Sequence, residues 1–292
     1  MNESNRLLIE PRIHDLGDGF SVRRVLPFRL RRHVGPFVFF DHIGPVDLAP
    51  GKGMDVRPHP HIGLATVTYL FDGAIEHRDS LGNDLVIRPG DVNWMTAGRG
   101  IVHSERTPAP ERASGHRLHG LQTWVALPRE FEEAESEFRH YAASVLPEVE
   151  RDGVHLRVIA GAAFGMQSPV RVYAPTLYVE VKMRAGSRLI VPAEHAERAI
   201  YALDGAIRVD GTELPPLRML VVDGDGDLEI IAADTDTHLF LCGGAPLDGE
   251  RVLWWNFVAS DAARIERAKA DWLAQRFGQV PGETEFIPLP ER

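Results

Sequence analysis

The chain has 292 residues and is 44% apolar, enough for a substantial core and too much for wholesale disorder. Its 42 acidic and 32 basic residues leave a net charge of −10, which argues against nucleic acid or an anionic membrane as a direct partner. The opening Met1-Asn2-Glu3-Ser4-Asn5-Arg6 carries no secretory signature, no apolar stretch nears the roughly 20 residues of a bilayer span, and the single Cys242 excludes an intramolecular disulfide or a thiolate-rich metal site. These features describe a soluble, cytoplasmic protein, expected to be a monomer.

Frequent glycine and proline cut the chain into short apolar runs, and few segments sustain a helical period, which is the texture of a β-rich protein. Residues 6–14 and 19–25 read as opening strands with Leu16-Gly17-Asp18-Gly19 between them. Phe37 to His42 reads as a buried strand that ends on polar residues. Ala65 to Phe71 is β-branched and aromatic, Asp72-Gly73 supplies hairpin chemistry, and Ile75 to Arg78 answers it. Leu85 to Ile87, Val92 to Met95 and Leu121 to Leu127 follow at the spacing of a small antiparallel barrel or jelly roll. Pro128 to Gly153 is charged and reads as a solvated linker with a helical turn.

From Val154 the strand texture returns. Leu203-Asp204-Gly205-Ala206-Ile207 matches Phe71-Asp72-Gly73-Ala74-Ile75 in type at every position, an internal repeat that predicts two barrels of common design. A helix is predicted from Ser260, as N-cap, to a stop at Gly278, with Ile265, Ala268, Trp272 and Phe277 on one docking face. The proline-bearing tail from Gln279 reads as an ordered strap or a trailing end. The expected fold is all-β, with an N-terminal metal-binding domain over 1–134, a charged linker over 135–153, and a second domain over 154–292 that carries the helix and tail.

Two stretches inside the first domain carry chemistry. One is Gly53 to His61, ending His59-Pro60-His61; the other is Gly98 to Glu105, ending His103-Ser104-Glu105. In a strand, side chains at i and i+2 share a face, so each stretch presents a pair of ligand-type groups. Three imidazoles and a carboxylate facing one another suit a borderline transition metal, one per chain, with coordination positions to spare. A lone histidine is more often structural, and the chain has 13, but His-x-His and His-x-Glu each behind a glycine-containing turn are harder to obtain by chance.

These stretches also resemble the two cupin motifs. His59-Pro60-His61-Ile62-Gly63, Trp94-Met95-Thr96-Ala97-Gly98-Arg99-Gly100-Ile101 and His103-x-Glu105, with Trp254-Trp255-Asn256-Phe257-Val258 and Phe286-Ile287-Pro288-Leu289-Pro290, resemble the bacterial members of the pirin family. That resemblance spans nearly the whole chain. It implies a bicupin of two antiparallel barrels with one iron, Fe(II) or Fe(III), held by His59, His61, His103 and Glu105; the donor set also suits manganese, nickel, copper or zinc. Many cupins carry a glutamate soon after His-x-His, where this chain has Ala65-Thr66.

In the second barrel Glu194-His195-Ala196-Glu197 stands where the first has its histidine pair, but no His-x-Glu follows, so no metal is expected there. His77 and Asp79 alternate on a strand and face either cavity or solvent. Cys242 reads as an inert buried thiol. Two functions fit. One, which the family resemblance implies, is a dioxygenase of the quercetin 2,3-dioxygenase type, taking a flavonol-like enol or phenol and O2, with Glu105 as both ligand and proton acceptor. The other, which the family resemblance also implies, is a redox-sensing iron protein that acts through a regulatory protein partner.

Overall fold

Short β-branched and aromatic runs, each closed by a glycine, proline or Asp-Gly turn, pair as antiparallel strands along the chain. The computed structural model describes residues 6–16 and 20–291, so the turn at Leu16-Gly17-Asp18-Gly19 lies largely outside the described residues. The strands build two cupin-type barrels, with the helix Ala262–Leu273 near the C-terminus: the all-β bicupin architecture expected from the sequence. No helix is long and apolar enough to cross a membrane among the described residues.

The chain divides into two compact units, one of Met1–Ile13, Arg24–Phe40 and Ser144–Leu247, the other of His14–Arg23, Asp41–Ala143 and Asp248–Arg292. The C-terminal segment, expected within the second domain, therefore clusters with the strands of the first barrel. The cause is apolar burial: Phe257, Ala259, Ile265, Ala268, Trp272 and Val280 form one buried cluster with Ile62 and Val102. Residues 135–153 are also more than a linker. Glu137–Tyr141 is a strand paired with Val92–Thr96, and Glu148–Arg151 pairs with Val154–Ala163. The preceding acidic run is ion-paired, with Glu132 on Arg251 at 2.8 Å and Glu133 on Arg264 at 2.7 Å.

In the unit containing Asp41–Ala143, one sheet is ordered Asp55–His61, Ile101–Arg106, Ile75–Asp79, Asp84–Ile87. A second sheet runs from Glu137–Tyr141 through Val92–Thr96 and Leu64–Asp72 to His116–Ala126. Ile43, Met54, Leu70, Ile75, Ile87 and Leu118 form an apolar core there. The same strands bury His59, His61, Thr68, His77, Asp79, His103 and Glu105.

The unit containing Ser144–Leu247 has a sheet centred on Glu197–Asp204, Thr237–Gly244 and Thr176–Met183, and a four-stranded sheet ordered Arg188–Val191, Leu228–Ala232, Ile207–Val209, Thr212–Leu214. Its core is aliphatic, with Val158, Val179, Val181, Ile200, Ile207, Ile230 and Leu241 among its members. The repeated Asp-Gly turns occupy equivalent places. Gly73 (φ +83°) follows Leu64–Asp72, and Gly205 (φ +73°) follows Glu197–Asp204, each returning into a strand that opens on isoleucine.

Asp261, not Ser260, caps the helix, its carboxylate accepting from the Ala263 N–H at 2.9 Å, while Ser260 donates to Glu132 at 2.8 Å. The helix ends at Leu273, before the predicted stop at Gly278, and Gln275 already has the left-handed φ of +54° that breaks the helical path. Ile265, Ala268 and Trp272 are buried as expected.

The tail is an ordered strap. The Ile287 N–H donates to the Pro58 carbonyl at 2.8 Å, and the Trp272 indole N–H to the Ile287 carbonyl at 3.0 Å. Glu283 accepts from Ser104 Oγ at 3.0 Å and from both ends of the Arg106 guanidinium at 2.8 and 2.6 Å. Ser104 and Arg106 alternate with His103 and Glu105, so the strap grips the opposite face of the ligand-bearing strand. Arg106 holds the Glu283 carboxyl below the usual carboxylate range, against the opposing effect of its burial.

Two stability outcomes follow from these contacts. Glu283→Gln removes a charge-assisted pair and is expected to cost about 2 kcal/mol in denaturant unfolding at neutral pH. Because the folded carboxyl is depressed, this contribution is complete above the unfolded value of about 4.3 and is lost as pH falls through the lower folded value. The gap between wild type and variant should therefore close in acid. Gly63 has φ +68°, and a Cβ there would lie 1.9 Å from the Val258 carbonyl oxygen, so Gly63→Ala is expected to cost about 2 kcal/mol or more. A melting point unchanged from wild type would contradict that packing.

Candidate metal centre

His59 and His61 meet His103 across a single antiparallel ladder. Asp55–His61 pairs with Ile101–Arg106 in the register Ile101↔His61 and His103↔His59, then shifts so that Glu105 stands opposite Val56. The extra residue belongs to Asp55–His61, at Arg57-Pro58, where the proline offers the ladder no N–H. The Arg57 carbonyl instead receives the Nδ1–H of His59 at 2.8 Å, which leaves His59 Nε2 as a lone-pair donor. Ile101–Arg106 pairs on its other side with Ile75–Asp79, setting His103 opposite Asp79 and Glu105 opposite His77.

His59, His61 and His103 bring one ring nitrogen each within 4.8 Å of one another, all buried; they are the one such group of donors among the described residues. Ring centroids are 5.0 Å apart for His59–His61, 4.4 Å for His59–His103 and 5.0 Å for His61–His103. His61 Nε2 and His103 Nε2 stand 3.1 Å apart. Nitrogens about 2.1 Å from one ion and near a right angle lie about 3 Å apart, so this spacing suits donors to a shared ion.

Electrostatics favours the same use. Burial lowers the pKa of His59 to about 4, opposed by its hydrogen bond to Arg57 and aided by His77. Burial also drives His61 and His103 well below the ordinary imidazole value, and the neighbouring histidines push both further down. All three are therefore neutral at physiological pH, the state in which imidazole binds metal. His61 Nδ1 makes no well-formed hydrogen bond, although the Asn256 backbone beside it acts to raise its pKa.

Glu105 is buried two residues beyond His103, and its carboxylate stands outside the three-nitrogen group. Burial raises its pKa, opposed by His77 and by the Thr68 hydroxyl. Thr68 Oγ1 is 3.2 Å from Glu105 Oε1 and 2.8 Å from Gln122 Oε1, and with one proton it donates to one of them at a time. The Trp124 ring stands edge-on to His61 at 5.1 Å.

His77 and Asp79 face inward, a choice the sequence left open. The burial of Ile75–Asp79 alternates, with Ile75, His77 and Asp79 inside and Glu76 and Arg78 outside. The one legible signal was that Ile75, an apolar residue, shares their period-2 face. In the other barrel, His195 is half-buried and bonds the Ala162 carbonyl at 2.9 Å, while Glu197 accepts from the Gly35 N–H at 2.6 Å and pairs with Arg31 at 3.0 Å. Cys242 is buried, which lifts its thiol to about 12 and leaves it inert.

Residues 19–125 match the family described as Pirin, and residues 178–278 match the family described as the Pirin C-terminal cupin domain. A pirin-like protein of Caulobacter vibrioides is 50% identical over 98% of this chain and 99% of its own length. A Pseudomonas aeruginosa protein provisionally named a quercetin 2,3-dioxygenase is 39% identical over 93% of this chain and 85% of its own. The crystal structure of a quercetin 2,3-dioxygenase from Acinetobacter baumannii superposes with a TM-score of 0.91 at 36% identity, covering 99% of this chain and 96% of that one. With both family matches, a half-identical relative of equal extent and the histidine cluster in its first barrel, the chain belongs to the pirin family.

Proposed function

We propose that the chain is a mononuclear metal-dependent dioxygenase of the quercetin 2,3-dioxygenase type, working with iron and O2 on a flavonol or another substrate with an acidic enol or phenol. The observation that carries this reading is the buried convergence of three neutral imidazoles beside a buried carboxylate. The dioxygenase names of two similar proteins support it. Manganese, nickel, copper and zinc suit the same donors, so iron rests on the family resemblance.

The bound ion would supply Lewis acidity toward an enol or phenol oxygen and redox chemistry toward O2. His59, His61 and His103 would hold it through ring nitrogens that need not lose a proton first. Glu105 adds the anionic donor and takes the substrate's hydroxyl proton; Thr68 steadies one of its oxygens at 3.2 Å. Trp124, buried and edge-on to His61, keeps water from that side of the site.

The direct test is anaerobic loading of the purified chain with Fe(II), followed by oxygen consumption and carbon monoxide release with a flavonol. Inactivity of fully loaded protein would remove flavonols as substrates. His61→Ala and His103→Ala are expected to lose most bound metal in elemental analysis while circular dichroism stays β-rich, because the apolar clusters of both units contain neither histidine. Undiminished metal would overturn the ligand assignment. Glu105→Gln nearly keeps the shape but loses the charge and the base, so its kcat should fall by about 100-fold or more and stay low at saturating metal. Full recovery with excess iron would make Glu105 a ligand alone.

A further inference from the structure

Beneath His103, on the side away from His61, lies a chain of buried polar groups for which the proposed reaction has no use. His103 Nδ1 is 3.4 Å from His77 Nδ1, and His77 Nε2 is 3.0 Å from Asp79 Oδ2. Asp79 is fully buried, and the other hydrogen bonds its carboxylate accepts come from N–H groups. Its Oδ1 accepts from the backbone of Leu81 at 2.9 Å and of Asn83 at 3.1 Å, and the Asn83 amide reaches Oδ1 at 3.0 Å and Oδ2 at 2.9 Å. The turn after Ile75–Asp79 thus wraps the carboxylate in donors.

Surrounded this way, Asp79 acts as an acceptor only, and the proton between it and His77 belongs to His77 Nε2. With a single proton on the ring, held at Nε2, His77 Nδ1 is a lone pair. The hydrogen between His77 and His103 must therefore come from His103 Nδ1. That in turn leaves His103 Nε2 unprotonated, the nitrogen that stands 3.1 Å from His61 Nε2. The His77 ring lies flat against Phe138, with centroids 4.2 Å apart and planes inclined by 17°; a half-turn would keep that stack but put carbon atoms where Nδ1 and Nε2 stand, so the contacts to His103 and Asp79 fix the ring's orientation.

We infer that Asp79 and His77 are positioning residues that fix His103 in the tautomer able to bind a metal ion, a relay running Asp79–His77–His103. This rests on the reading that the three histidines hold a metal. Metal-bound histidines commonly lean on a carboxylate or carbonyl through the second ring nitrogen; here the carboxylate acts through an intervening imidazole. Without the relay, His103 is free to carry its proton on Nε2, where it blocks coordination.

The test is titration of the metal-free full-length chain with cobalt(II), followed by visible absorption of the bound ion and by competition with a chelator, alongside the melting temperature of the metal-free protein. Asp79→Asn offers an amide that can donate to His77 and reverse the relay; His77→Phe keeps the aromatic stack but removes the acceptor. Both are expected to weaken cobalt(II) binding about 10–100-fold, and Asn83→Ala, which loosens the same turn but leaves the relay in place, to change it less than about threefold. Should Asp79→Asn fail to fold, His77→Phe and Asn83→Ala decide the matter. Wild-type affinity in His77→Phe, or an equal loss in Asn83→Ala, would overturn the relay and leave the metal site standing. No cobalt(II) uptake by the unmodified chain, or wild-type uptake by His61→Ala, would remove the site itself and the relay with it.

Discussion

The ladder between Asp55–His61 and Ile101–Arg106 is the contact on which the site depends. Hydrogen bonds between two backbones set His59 opposite His103 and bring His61 Nε2 to 3.1 Å from His103 Nε2. A slip of one residue would turn each of these side chains to the other face and dissolve the cluster. Register is therefore the quantity to be protected, and it is held from several sides. The extra residue at Arg57-Pro58 marks one position, the pairing with Ile75–Asp79 fixes the far edge, and Glu283 grips Ser104 and Arg106 on the outer face.

Burial gives the ladder its chemistry. An imidazole taken out of water next to others is easier to keep neutral than charged, and three neutral imidazoles are ready ligands. The same burial raises Glu105, so a carboxylate there is a better proton acceptor than one in water. Such a concentration of polar groups has to be hydrogen-bonded to be tolerated. His59 uses the Arg57 carbonyl, Asp79 uses the turn at Leu81 and Asn83, and Glu105 uses Thr68.

The two barrels show what the fold alone does not supply. Both carry an Asp-Gly turn before a strand that opens on isoleucine, and in both that strand pairs antiparallel with its neighbours. One has a buried polar cluster; the interior of the other is packed with valine, leucine and isoleucine. His195 and Glu197 belong to a comparable stretch of sequence but spend their polar atoms on the Ala162 carbonyl, Arg31 and the Gly35 N–H. Architecture is shared, and the side chains on the inward face decide whether chemistry is possible.

Local signals made much of this legible in one dimension. Alternation, Asp-Gly turns and the matched pentapeptides announced strands, hairpins and two barrels, because a strand's period and a turn's φ are properties of adjacent residues. His59-x-His61 and His103-x-Glu105 were legible for the same reason, since i and i+2 share a face wherever a strand forms. The inward face of His77 was not, because a strand alternates equally well in either sense until a partner covers one side. The acidic run after Pro128 looked solvated because its partners, Arg251 and Arg264, lie more than a hundred residues away. Nor could composition show that Phe257, Trp272 and Val280 pack on Ile62 and Val102, or that Glu283 reaches Arg106. Those contacts join residues distant in sequence, and only the closing of the chain around buried apolar surface decides which of them meet.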